Sequence, residues 1–121
     1  MEEKTISLTY LRRERRKWGL SQRELAVLFG YRDPDHLSLV ERGLRAPGRD
    51  LIIACHALFG LAPREMFPDH YAEAEEDILR RVYELVEALE GNASSFSTKK
   101  RVFADQVLDR AITRLHEQTI L

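Results

Sequence analysis

Few side chains in this 121-residue chain stand at spacings that support covalent or metal chemistry. His36, His56, His70 and His116 have no metal-ligand spacing with Cys55 or with one another, so they read as core or surface histidines. Cys55 falls within an apolar stretch and reads as a small buried hydrophobe. There is no glycine-rich phosphate loop, no nucleophile elbow and no carboxylate pair spaced for hydrolysis. The acidic run Glu73–Asp77 suits the positive end of a helix dipole better than a metal. The expectation is therefore a protein that is not an enzyme and needs no cofactor or metal. What remains is anion-contact chemistry. Ser21-Gln22-Arg23-Glu24 forms a capping box, in which exposed N–H groups at a helix start favour phosphate. Arg12-Arg13-Glu14-Arg15-Arg16-Lys17 is either a solvated helix face or a source of phosphate contacts.

Net charge is −1, but it is divided unevenly. Residues 1–50 carry eleven bases against eight acids, residues 63–91 three against nine, and residues 92–121 five against three. The amino-terminal part is mildly basic and the middle strongly acidic, which permits contact with phosphates. The apolar run Leu51–Phe59 is too short to cross a bilayer, and Met1-Glu2-Glu3-Lys4 lacks the look of a secretory leader. With a single cysteine, a reducing cytoplasm and no membrane contact are expected.

The elements that must position these residues are all helical. Helix one spans about Thr9 to Trp18, with Thr9 as cap, Gly19 as stop, and Leu8, Leu11, Arg15 and Trp18 on one face. Helix two follows the capping box, lined by Leu25, Leu28 and Phe29 and ended by Gly30. Asp33-Pro34 caps helix three, with proline at its first position and Leu37 and Val40 inward. Helix four runs from Arg49 to Phe59, closed by Gly60, and a short fifth helix is terminated by Pro68. A longer helix over about Ala72 to Glu90 repeats Ile78, Val82, Leu85 and Leu89 in a two-helix seam. Gly91–Ser95 reads as linker. The last helix, about Thr98 to Glu117, presents Val102, Phe103, Val107, Ala111, Ile112 and Leu115. The fold expected is all-α: five helices in residues 1–68, then two carboxy-terminal helices in 69–121 that pair two chains, bind a partner protein, or pack internally.

Leu20-Ser21-Gln22-Arg23-Glu24-Leu25-Ala26, Val40-Glu41-Arg42-Gly43, Arg45-Ala46-Pro47, Leu58-Phe59-Gly60-Leu61 and Glu65-Met66-Phe67 occur in that order. Together they resemble the phage-repressor-like helix-turn-helix family of the Cro and XRE type, over residues 7–67. The resemblance implies a five-helix domain that binds double-stranded DNA with its third helix in the major groove, as a homodimer on a two-fold symmetric operator. It implies that Gln22 clamps phosphate, that Arg42 and Arg45 contact backbone, and that Arg15 and Glu41 form an internal ion pair. The stretch Gly30–Glu41 is one residue longer than the family pattern. Counted at about 100° per residue, Asp35, Ser38, Leu39 and Arg42 face outward, with His36 at the edge. Aspartate can accept from cytosine N4, and leucine can touch a thymine methyl or serve a protein contact. Arg32 is either a DNA contact or a solvated loop residue. The DNA-contacting set is thus Gln22, Arg23, Arg32, Asp35, His36, Ser38, Leu39, Arg42 and Arg45, in a transcriptional regulator. The alternative is a protein-interaction adaptor or antitoxin-like partner of the same fold, suggested by Leu39, Asp35 and the acidic segment 63–91.

Overall fold

A computed structural model describes residues 6–120, and among them every regular element is a helix. The leader reading of Met1-Glu2-Glu3-Lys4 lies outside the described residues. The helices are α1 (Leu11–Lys17), α2 (Gln22–Leu28), α3 (Asp35–Glu41), α4 (Arg49–Phe59), α5 (Pro63–Met66), α6 (Pro68–Ala88) and α7 (Ser95–Ile120). None of them is long and apolar enough to cross a membrane. The chain divides into two compact units, parting after Glu73 inside α6.

The first unit closes over Leu11, Leu25, Ala26, Leu37, Val40, Leu51, Cys55, Met66 and Phe67, with Tyr10, Leu20, Phe29, Tyr31, Ile52, Phe59 and Leu61 packed around them. Each of its five helices contributes to this core. Full burial of each Leu, Met or Phe contributes on the order of 1.5–3 kcal/mol, which lets helices of seven residues persist where isolated ones would not. Burial pushes the Cys55 thiol up to about 12, so it stays protonated at neutral pH and acts as core filling.

Local signals decide the helix ends. The Ser21 side chain accepts from the Glu24 N–H at 3.0 Å, and Glu24 accepts from the Ser21 N–H at 2.9 Å. The expected cap of α1 shifts by one residue: Tyr10 is the N-cap, while Thr9 Oγ1 accepts from the Leu11 N–H. Tyr10 instead donates its N–H to the Met66 carbonyl, anchoring the start of α1 on α5. Pro34 is likewise the N-cap of α3 rather than its first helical residue, and Asp33 Oδ1 accepts from the Asp35 N–H at 2.9 Å. The short α5 ends at Met66, just before Pro68 as expected, and Pro68 then opens α6, where a proline lacks only an N–H that has no intrahelical partner. Leu28, expected in the buried stripe of α2, is exposed, and so are Leu8 and Trp18 of the face read for helix one. Gly43 is required twice over: its φ is +73°, and a Cβ there would lie 2.1 Å from the Ser7 carbonyl oxygen.

The second unit is an antiparallel helix pair. The Glu75–Arg114 ion pair joins α6 to α7 at one end, and Arg101 donates to the carbonyls of Leu89 and Asn92 at the other. α7 begins three residues earlier than its expected start, because Ser94 Oγ accepts from the Ser97 N–H and shortens the linker. The buried row on α7 is Ser97, Ala104 and Ala111, each seven residues apart, against Val82 and Leu89 on α6. Of the expected seam, Val82 and Leu89 are buried, Leu85 is half-buried and Ile78 is exposed; of the residues the last helix was expected to present, Ala111 is buried, Val107 half-buried, and Val102, Phe103, Ile112 and Leu115 exposed.

Candidate nucleic-acid interface

The candidate surface is organised by one buried carboxylate. Glu41, at the end of α3, receives Arg15 in a two-pronged contact, Nε to Oε2 at 2.7 Å and Nη2 to Oε1 at 3.0 Å. Arg15 Nη1 also donates to the Leu20 carbonyl at 2.8 Å, holding the α1–α2 turn. Both charges are almost fully withdrawn from water, so their pairing is a condition of the fold. Gln22 Nε2 donates to Glu41 Oε1 at 3.1 Å, tying the first residue of α2 to the end of α3. An amide nitrogen carries two hydrogens, so one remains for an acceptor outside.

Arg12 joins the same hub, its Nε 3.6 Å from Glu41 Oε1. That nitrogen is buried and makes no hydrogen bond, while the side chain as a whole is 43% exposed. Arg12 was not singled out from the basic run, although its position three residues before Arg15 puts both on one helix face. The rest of the run is divided. Arg13 stacks over the Tyr10 ring at 4.0 Å, and Glu14 is buried, accepting from Trp18 Nε1 and paired with Lys17.

The expected set falls into three groups. Asp35, His36, Ser38, Leu39 and Arg42 lie on or just after α3. Asp35 and Arg42 are exposed, while Ser38, Leu39 and His36 are half-buried. Arg42 Nε returns to the Ser38 carbonyl at 3.3 Å, which steadies the base of its side chain. His36 is held edge-on by Tyr31, ring centroids 5.3 Å apart, and Tyr31 in turn by Phe29. Arg32 and Arg45 are exposed in the turns before and after α3. Arg23 stands apart: it lines an apolar groove of about 500 Å3 with Leu20, Glu24, Val27 and Leu28, while Gln22 faces Glu41.

A second cleft, of about 380 Å3, is lined by Tyr31, Gly48, Arg49, Asp50 and Leu51. Gly48 is an extended N-cap without a side chain, so the first N–H groups of α4 have no side-chain acceptor there. Burial pushes the Tyr31 hydroxyl above its ordinary pKa, with Asp50 and Cys55 adding to the effect and Arg45 opposing it. Arg49 was not anticipated; Gly48 before an apolar run was the available signal.

No family model matches this chain, and no curated protein or solved structure matches it. Among the described residues, no group of three or more His, Cys, Asp or Glu side chains could hold a metal ion.

Proposed function

We propose that the first unit is a repressor-like helix-turn-helix domain that binds double-stranded DNA, with α3 as the reading helix. The protein is then a sequence-specific transcriptional regulator of the cytoplasm, without a catalytic step, acting as a homodimer on a two-fold symmetric operator. The observation that carries this reading is the Glu41 hub. One carboxylate orients Gln22 and Arg12 and locks α3 against α1, while Asp35 and Arg42 remain exposed. Rigid α3 supplies base contacts, whereas Gln22, Arg12, Arg42 and Arg45 supply phosphate contacts that fix its register.

The test separates these roles. Arg42→Ala weakens binding to all duplexes and makes the salt dependence shallower by about one unit of log–log slope. Asp35→Ala changes the preferred base at one position per half-site. Unchanged affinity and preference in both variants would remove α3 as the reader.

A second reading, an adaptor that binds protein, is favoured by the apolar groove along α2 and its neighbour lined by Trp18, Leu20, Leu28, Leu58 and Phe59. Trp18, Val27, Leu28 and Leu58 are all exposed there. Negligible, salt-insensitive affinity for duplex DNA together with a co-purifying protein would select it.

A further inference from the structure

Apolar character does not separate the two sides of the α6–α7 pair. Sides are counted at about 100° per residue from buried Val82 and Leu89 on α6, and from buried Ser97, Ala104 and Ala111 on α7. One side carries Ile78, Leu85, Phe96, Phe103 and Val107; the other carries Leu79, Val86, Leu108, Ile112 and Leu115.

Charge does separate them. Residues 74–121 hold nine acids and seven bases. Three of the bases are engaged within the pair: Arg80 with Asp77 at 3.3 Å, Arg114 with Glu75, and Arg101 with the carbonyls of Leu89 and Asn92. The other four, Arg81, Lys99, Lys100 and Arg110, are exposed and have no ion-pair partner among the described residues. All four fall on the side of the two phenylalanines. Lys99 and Lys100 lie between Phe96 and Phe103, Arg110 lies one turn past Val107, and Arg81 lies between Ile78 and Leu85. The acids nearest to them are Asp77, already paired, and Glu117, two turns beyond Arg110. The opposite side holds Glu76, Glu87, Glu90 and Asp105, while Glu84 and Asp109 lie on the outer backs of the two helices. Unneutralised bases around an apolar strip attract an acidic partner and repel a second copy of the same face.

We propose that this basic side is a docking site for an acidic amphipathic helix of a different protein, which lies in the valley between α6 and α7 and completes a three-helix bundle. Shape selects a helix. Ile78 and Leu85 stand seven residues apart on α6, and Phe96 and Phe103 seven apart on α7, the repeat that receives the rows of another helix. From Phe96 to Arg110 the valley runs about 21 Å, room for a partner of about four turns. Leu85 and Val107 are half-buried beside exposed Ile78 and Phe103, so a rod reaches them where a flat bilayer surface does not. Aliphatic side chains give stacked bases no platform, which disfavours a nucleic-acid strand. Charge selects acids on the flanks of that helix, facing Arg81 on one edge and Lys99 and Arg110 on the other.

The proposal concerns the second unit alone and holds whether or not the first unit reads DNA. The probe is a dye-labelled peptide of about 18 residues, with leucines at helical spacing and glutamates elsewhere, beside a twin with lysine for every glutamate. Each is titrated with the full chain and read by fluorescence anisotropy. The acidic peptide is expected to bind with a Kd below about 100 μM, weakening as salt rises, and the lysine twin at least about tenfold more weakly. Lys99→Glu combined with Arg110→Glu is expected to weaken the acidic peptide at least about tenfold while the helical circular dichroism is kept, since both positions are exposed. Ile112→Glu, on the opposite side, leaves the affinity unchanged.

Equal binding of the two peptides, no binding at about millimolar peptide, or indifference to the double reversal overturns the proposal. Loss of binding in Leu28→Glu instead places the peptide on the groove of the first unit and overturns it as well. So does Phe103-dependent uptake by phosphatidylserine vesicles or of an oligothymidine strand when the peptide does not bind, which assigns the face to a membrane or a nucleic acid. A mass above 14.1 kDa in sedimentation equilibrium that Phe103→Glu returns to that value puts a second copy on this face, and the acidic partner falls.

Discussion

The two units of this molecule use apolar residues in opposite ways. In the first, large side chains go inside: Leu11, Leu25, Leu37, Leu51, Met66 and Phe67 are all buried. In the second, α7 puts small side chains inside against Val82 and Leu89 of α6, Ala104 buried beside an exposed Phe103. The first unit satisfies its own hydrophobic requirement around a core fed by five helices. The second has one internal seam, and several large side chains remain outside it.

The largest expected effect tests how far the first unit depends on its buried pair. Arg15→Ala leaves the buried Glu41 without its two-pronged partner, with only Arg12 at 3.6 Å and the Gln22 amide still facing it, a loss of up to about 3–5 kcal/mol. Trp18 is the single tryptophan and lies in this unit, so its fluorescence during urea unfolding follows the change. A loss under about 1 kcal/mol would mean that the hub is not structural.

The next prediction probes the second unit. Ala104→Leu forces a large side chain into the small-residue seam and costs about 1–3 kcal/mol by overpacking. Val102→Ala, on an exposed position two residues earlier, stays within about 0.5 kcal/mol. Hydrogen exchange of α6 and α7 amides reads both, and equal effects would erase the contrast between the units.

The smallest effect concerns the capping box. Ser21→Ala removes the acceptor for the Glu24 N–H and costs about 1 kcal/mol. It also carries a pH signature. The Ser21 backbone N–H, and then its side chain, hold the Glu24 carboxyl below its ordinary pKa. A carboxyl depressed in the folded state stabilises above its unfolded pKa, and that contribution is lost as pH falls through the folded value. Ser21→Ala keeps the backbone N–H and removes only the side-chain part of this effect, so the stability gap to wild type should narrow slightly in acid; a pH-independent gap would mean that the backbone N–H alone holds Glu24.

Much of the first unit was legible because its signals are local. The capping box, the Arg49–Phe59 span and the inward Leu37 and Val40 follow from neighbours within one helical turn. The exposure of Leu28 and Trp18 was not legible, because periodicity marks an apolar stripe but not where neighbouring helices stop covering it. The second unit was legible in part: Val82, Leu89 and Ala111 of the expected rows are buried, whereas Ser97 and Ala104 were missed because apolar periodicity is read from large residues. At the interface, the sequence pointed to α3 and to Gln22, whereas the Arg12 and Gln22 contacts with Glu41 depend on three separate helices meeting.

The central claim, that the first unit reads duplex DNA, is tested most directly by selecting the purified full chain against random duplexes at about 50 and 200 mM salt. The account predicts enrichment of a two-fold symmetric motif, with affinity falling roughly a thousandfold or more between the two conditions if six to ten phosphates are contacted. No enriched motif, with weak binding even at the lower salt, would contradict it.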